Sequence, residues 1–237
     1  MSIPFLQAHT SNFYAGRGGN SIKYIVVHYT AGNGDTAMNN AQYFHNNSGL
    51  QASAHYFVDE HSVVQSVRDT DGAWHCGGSI ESDHHPLRGI CTNRNSLGVE
   101  MCSDIVGGKY VITAQTVDLA VQLVRQLMAK YRIPIDRVVR HYDVTGKACP
   151  EPWVRDESLW RKFKARLTAP VEPEPKKEDD EMKIYQYVQE MPKWAQDSVI
   201  KAIKKGAVAM DKDGAVSIYE CNLQPLVWLD RVGLLDK

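Results

Sequence analysis

One short segment, Arg140-His141-Tyr142-Asp143-Val144-Thr145-Gly146-Lys147-Ala148-Cys149-Pro150, carries an imidazole, an ammonium and a thiol, and a second imidazole, His28, closes the apolar run Ile22-Lys23-Tyr24-Ile25-Val26-Val27. Two histidines and one thiolate suit zinc and leave a fourth position open, which separates a catalytic zinc from a structural one. With His28 and His141 neutral and Cys149 ionised, such a site keeps a charge of about +1 and lowers the pKa of a bound water from ~15.7 toward ~7. Taken singly, each residue reads as a core histidine, a loop histidine or a buried cysteine; the surrounding residues favour the zinc set, with one ion per chain.

The elements that must position these groups alternate along the chain. Ile22 to Tyr29 reads as a buried strand, Thr36 to Asn47 as a helix capped by Thr36 or Asp35, and Ala54–Asp59 with Val63–Val67 as a hairpin around Glu60-His61. Leu97 to Cys102 reads as a second buried strand. Thr113 to Tyr131 is the clearest helix, with Val117, Ala120, Val121, Val124, Leu127 and Met128 on one face. Val138-Val139-Arg140 predicts a short strand leading into the His141 loop, and Asp156 to Leu167 a last helix. The order implies an α/β fold, a central mixed β-sheet flanked by helices.

The Pro- and charge-rich stretch Ala169-Pro170-Val171-Glu172-Pro173-Glu174-Pro175-Lys176-Lys177-Glu178 cannot bury apolar surface and reads as a linker. Residues 1–169 then form a catalytic domain, 170–182 the linker and 183–237 a small, mainly helical C-terminal domain. A net charge of −1 over 237 residues gives no field that would draw nucleic acid or anionic lipid. The N-terminus lacks the basic and apolar regions of a secretory signal, and no run is long enough for membrane insertion. The expected location is a cytoplasm. The five cysteines, Cys76, Cys91, Cys102, Cys149 and Cys221, are expected as free thiols rather than as a Cys76–Cys91 bridge.

Four segments in order, Val26-Val27-His28-Tyr29-Thr30-Ala31-Gly32, Ser53-Ala54-His55-Tyr56-Phe57-Val58-Asp59, Ser96-Leu97-Gly98-Val99-Glu100-Met101-Cys102 and Arg140-His141-Tyr142-Asp143 through Gly146-Lys147-Ala148-Cys149-Pro150, resemble the motifs of type-2 N-acetylmuramoyl-L-alanine amidases. That class includes phage endolysins and the peptidoglycan recognition proteins. The likeness spans roughly residues 20–165. It implies hydrolysis of the amide between N-acetylmuramic acid and L-alanine in bacterial peptidoglycan, with zinc on His28, His141 and Cys149. Glu100, a carboxylate on an otherwise apolar strand, is the expected general base. Lys147 is the expected oxyanion partner. His55 stands where some family members have a tyrosine, and reads equally as a substrate-binding or a structural histidine. Trp74 and His75, with the loop from Gly77 to Asn95, are expected to wall the substrate groove. His84-His85 reads as exposed loop, not as a second metal site.

Residues 183–237 resemble the small C-terminal modules of some Gram-positive phage endolysins, through Pro192-Lys193-Trp194-Ala195, Gly206, Asp213-Gly214 and Leu229-Asp230-Arg231. Wall binding and self-association are both open for this module. Trp194, Ala195, Val199, Ala202 and Ile203 are expected to share a helix face, and Pro225 implies either a kink or a helix starting near Asn222. The expected protein is a phage or prophage endolysin, held in the host cytoplasm and acting at the cell wall after the membrane is permeabilised. Its rivals are an autolysin of the same chemistry, a non-catalytic peptidoglycan binder, and a cysteine hydrolase built on Cys149 and His141.

Overall fold

A computed structural model describes residues 3–77, 85–170, 184–219 and 222–235. The chain divides into two compact units, Met1–Ala169 and Pro170–Lys237. In the first, the strands are β1 (Phe13–Tyr14), β2 (Tyr24–Tyr29), β3 (Tyr56–Val58), β4 (Val63–Gln65), β5 (Gly72–Ala73), β6 (Ser96–Met101), β7 (Asp104–Val106), β8 (Lys109–Val111) and β9 (Val138–Arg140). The helices are α1 (Ala37–Asn46), α2 (Ala114–Tyr131), α3 (His141–Thr145), α4 (Glu151–Arg155) and α5 (Glu157–Thr168).

The central sheet has the order β4-β3-β6-β2-β9 and is mixed: β3, β6, β2 and β9 run parallel, and β4 is antiparallel to β3. Side chains alternate between its faces. Ile25 and Val27 of β2 and Leu97, Val99 and Met101 of β6 join a core made with α2 and α5, where Trp153, Trp160 and Phe163 pack together. Tyr24, Val26 and His28, with Ser96, Gly98 and Glu100, therefore face the other way. The parallel register sets Tyr24 beside Ser96, Val26 beside Gly98 and His28 beside Glu100.

The helix α1 is capped by Thr36, whose side chain accepts the Asn39 N–H, and α2 by Thr113, which accepts the Thr116 N–H. The expected strands and helices of this unit are present, and the fold adds the β1–β5 pair, the β7–β8 pair and two short helices. His141 opens a short helix, α3, instead of a loop. Glu151–Arg155 forms α4 despite Pro152, because a proline in the first helical turn forfeits no intrahelical bond. Gly107 and Gly108, both at positive φ, turn β7 into β8.

In the second unit, β10 (Ile184–Tyr185) pairs with β11 (Ile218–Tyr219), and α6 (Lys193–Lys204) packs on α7 (Leu223–Arg231). Tyr185, Met191, Ala195, Val199, Leu223 and Val227 form its core. Asp230 ties the helices together by accepting from Ser198 Oγ and Lys201 Nζ, each at 2.7 Å. Helical spacing put Trp194 on the buried face, but it lies outside, 52% exposed, because Ala195 and Val199 already meet α7. Pro225 falls in the first turn of α7, so the helix starts beside Asn222 without a kink. Most of the expected linker and His84 lie outside the described residues.

Candidate active site

The C-terminal end of β2 delivers His28, and β9 delivers Arg140 and the start of α3. Arg140 is buried and held by Asp143 at 2.9 Å, by Glu157 and by the Trp153 carbonyl. Asp143 also accepts the Arg140 backbone N–H. This anchoring fixes the first turn of α3 and with it His141. Gly146, at φ 82°, ends α3 in the left-handed conformation that glycine adopts without strain. The chain then doubles back, and the Tyr142 N–H donates to the Cys149 carbonyl at 2.9 Å, bringing Cys149 beside His141.

The ligand atoms of His28, His141 and Cys149, all buried, lie within 4.8 Å of one another. Among the described residues this is the group of His, Cys, Asp and Glu side chains close enough to hold a metal ion. Cys149 Sγ is 3.7 Å from His28 Nδ1, and Glu100 Oε1 is 4.0 Å from the same nitrogen. His141 Nε2 donates to the Gly77 carbonyl at 2.8 Å, which leaves Nδ1 unprotonated with its lone pair open to a metal.

The electrostatics suit a cation. Burial drives His28 well below the ordinary imidazole value, helped by the neighbouring His141 and His75, and brings His141 down to about 4. Both rings are neutral at pH 7, with lone pairs available. Burial pushes the Cys149 thiol up to about 12. Burial also pushes Glu100 up to about 8, with Lys147 opposing and Asp35 adding to the rise. Glu100 Oε2 is buried without a hydrogen-bond partner, an arrangement that costs free energy unless something else meets that oxygen. Two nitrogens, one sulfur and an orphaned carboxylate oxygen fit a divalent metal.

These groups floor a cavity of about 570 Å³. Lys147 stands exposed on its rim, and Trp74 lines it with Tyr14, the two rings meeting edge to face at 5.2 Å. Asn93, from the loop expected to wall the groove, lines it too, and so do Tyr14, Tyr29, Phe44 and Gln51, for which the sequence holds no such expectation. They come from separate segments with no common spacing. Asn93 holds the Trp74–Cys76 turn by accepting the N–H groups of His75 and Cys76 at 2.9 and 2.7 Å.

His28, His141, Cys149, Glu100, Lys147, Trp74 and His75 are thus brought to one cavity, and His55 is not. His55 is fully buried, with Nδ1 accepting the Gly98 N–H at 3.0 Å and Nε2 facing the Asp71 carbonyl and Arg17. With both nitrogens engaged, its ring has no surface to offer a substrate. His75 is nearly as buried but turns one edge to the cavity.

Residues 18–152 match the profile of the Amidase_2 family, N-acetylmuramoyl-L-alanine amidase. The chain belongs to this family. It is 39% identical over 150 residues to a probable N-acetylmuramoyl-L-alanine amidase of Bacillus licheniformis, a match covering 62% of this chain and 41% of that one. To the N-acetylmuramoyl-L-alanine amidase BlyA of Bacillus subtilis strain 168 it is 36% identical over 156 residues, with the same coverage. The match therefore spans about two-fifths of the length of these relatives. The solved structure of the PlyG catalytic domain superposes with a TM-score of 0.57 at 30% identity, covering 72% of this chain and all of that one. The catalytic domain of XlyA gives 0.56 at 27%, covering 70% and 99%. The family profile takes in the site segments from His28 to Cys149 and stops short of α5 and the second unit.

Proposed function

We propose that this amidase-family chain is a zinc-dependent N-acetylmuramoyl-L-alanine amidase that cleaves the amide between N-acetylmuramic acid and L-alanine in bacterial peptidoglycan. We read it as an endolysin of a phage or prophage. The observation that carries the reading is the convergence of His28, His141 and Cys149 beside the unpartnered Glu100 oxygen at the floor of one cavity. A zinc ion held by those three residues supplies Lewis acidity to the attacking water and the scissile carbonyl.

Glu100 takes a proton from the nucleophilic water and returns it to the leaving amine. Its raised pKa suits the second half of that task, since the protonated acid is a good donor near neutral pH. Lys147, on the rim, meets the negative charge that develops on the carbonyl oxygen. Trp74, with Tyr14 beside it, offers an aromatic wall for a sugar face or the peptide stem.

The cysteine-hydrolase rival gains one point and loses another. Cys149 does precede the cap of α4, where a helix start could lower a thiol's pKa. The net result in this fold is the opposite, because burial dominates. We assign residues 1–169 to catalysis, 170–182 to a linker and 183–237 to wall attachment, in keeping with the two compact units. Tethering raises the local concentration of the enzyme at an insoluble substrate. Among the described residues no helix is long and apolar enough to cross a membrane.

The test is mass spectrometry of peptidoglycan digested by the purified chain, with and without chelator. The expected products are free L-alanine amino termini and intact glycan strands, lost on chelation. Chelator-resistant cleavage would point to the thiol, and binding without any new terminus to a non-catalytic receptor.

A further inference from the structure

We infer that His75 is a positioning residue for the metal ligand His28, the middle of a hydrogen-bond chain whose direction is fixed by a backbone carbonyl and which leaves His28 Nδ1 bare. The assignment rests on the metal reading above.

The chain is best followed from its far end. Ser96 Oγ lies 2.6 Å from the Thr92 carbonyl oxygen. A carbonyl only accepts, so the Ser96 hydroxyl proton lies between them. Ser96 Oγ is also 3.1 Å from His75 Nε2, and with its own proton committed it accepts there. His75 therefore carries its proton on Nε2 and presents a lone pair at Nδ1. That nitrogen lies 3.1 Å from His28 Nε2, which must donate. A neutral His28 with its proton on Nε2 has a bare Nδ1, the atom that faces Cys149 Sγ and Glu100. The Cys76 thiol lies 3.5 Å from His75 Nδ1 and 3.4 Å from Ser96 Oγ. A thiol is a weak donor, so it does not reverse the chain.

Two structural features show that His75 is seated for this contact. The ring lies directly over Gly98: a Cβ there would come within 2.6 Å of His75 Cγ and 2.9 Å of Nδ1. A glycine inside a buried strand weakens the strand, and close approach of another group is a reason to have one there. Gly98 sits between Ser96 and Glu100 on the site-facing side of β6, so the ring above it reaches Ser96 on its own strand and His28 on the neighbouring one. The rings of His28 and His75 meet nearly perpendicular, with centroids 5.2 Å apart. His141 has the simpler version of the same device, one direct bond from Nε2 to a carbonyl. Partners of this kind fix a ligand's tautomer and ring orientation, and losing one typically costs about 10–100-fold in metal affinity.

Two measurements on the full chain test this. In the metal-free protein, long-range 1H–15N correlation spectra should report the Nε2–H tautomer for both His28 and His75; an Nδ1–H tautomer for His28 overturns the assignment. Zinc dissociation constants from chelator competition, with the cobalt(II)–thiolate absorption as a second reporter, should weaken about 10–100-fold in His75→Ala. Gly98→Ala should weaken binding in the same direction although it removes no polar atom. His75→Asn, whose Oδ1 can accept from His28 in place of Nδ1, should recover most of the affinity and the cobalt spectrum. If His75→Ala does not fold, the comparison of His75→Asn with Ser96→Leu decides. Asn is expected to stay near wild type and Leu, which removes the anchor and crowds the ring, to weaken binding. Wild-type affinity and spectrum in His75→Ala, or in Ser96→Leu, overturn the inference alone. A wild-type chain that takes up neither zinc nor cobalt overturns the metal reading itself and this inference with it.

Discussion

With the proposed zinc on His28, His141 and Cys149, the number of protons released on metal entry follows from the burial of these three residues. In the metal-free protein at pH 5 to 6, His141 at about 4 and His28 well below its ordinary value are almost wholly neutral. Cys149 at about 12 is wholly protonated. Zinc binds the neutral imidazoles and the thiolate, so the three ligands together lose one proton, and it comes from sulfur. Glu100 at about 8 is also protonated in this window, and a divalent cation close by favours its ionised form. The wild-type chain should therefore release between one and two protons per zinc. Glu100→Gln, with no acid at that position, should release one. Affinity in that variant then rises tenfold per pH unit, or ~1.4 kcal/mol, and more steeply in the wild type. Calorimetric titration at pH 5.5 in two buffers of different ionisation enthalpy counts the protons directly. Release of none by Glu100→Gln would remove Cys149 as a protonated ligand. Release of two would mean that a buried imidazole was charged, and the desolvation argument for the whole site would fail.

Four further outcomes are expected. Glu100→Gln should keep stoichiometric zinc and lose about 10²- to 10⁴-fold in turnover on purified walls; wild-type turnover would return Glu100 to a structural role. Arg17 is buried, donates to the carbonyls of Asp69, Arg94 and Ser96 at 2.6, 3.0 and 3.0 Å, and touches His55. Arg17→Met keeps the stem but strands those carbonyls, so urea unfolding should show a loss of about 3 kcal/mol, and a loss below about 1 kcal/mol would refute the count. Burial pushes Asp59 up, but the N–H groups of Ala37, His61 and Ser62 outweigh it and hold the carboxyl below its ordinary value. Its stabilising contribution is therefore complete above the unfolded-state pKa and fades as pH falls through the folded one, so Asp59→Asn should lose stability at pH 7 and show a shallower acid limb in melts from pH 6 to 2. Removing residues 171–237 should leave a folded amidase that sediments less with intact walls; undiminished sedimentation would locate wall binding in the first unit.

Much of this architecture is legible in the sequence because burial leaves periodic marks. The run Ile25-Val26-Val27 and the face of α2 from Ala120 to Leu127 can only be core. Val138–Arg140 is recoverable as a strand because two adjacent β-branched residues, Val138 and Val139, lead into the His141 segment. Helix α3 left little trace, since five residues give no periodicity and its stability comes from Arg140 pairing with Asp143 and Glu157, the latter a partner 17 positions on. Trp194 was misplaced because helical spacing identifies several candidate faces, and only the arrival of α7 selects one.

The site was legible residue by residue but not as a mechanism of positioning. His28 and Glu100 announce themselves as polar groups on otherwise apolar strands, and His141 and Cys149 through the family resemblance of the segment that holds them. His55 and His75 look alike by such signs: His75 reads as a groove wall, and His55 equally as a substrate-binding or a structural histidine. What separates them is the two-residue period of β6. Leu97, Val99 and Met101 give one face to the core, so Ser96, Gly98 and Glu100 share the other in one line beside His28. The gap in that line, at Gly98, admits a ring from above, and His75 fills it while His55 bonds to the Gly98 backbone from the side. A side chain at position 98 would close the gap and leave His28 Nε2 without its acceptor. The missing Cβ on β6 is therefore as much a part of the metal centre as the ligands on β2 and beyond β9.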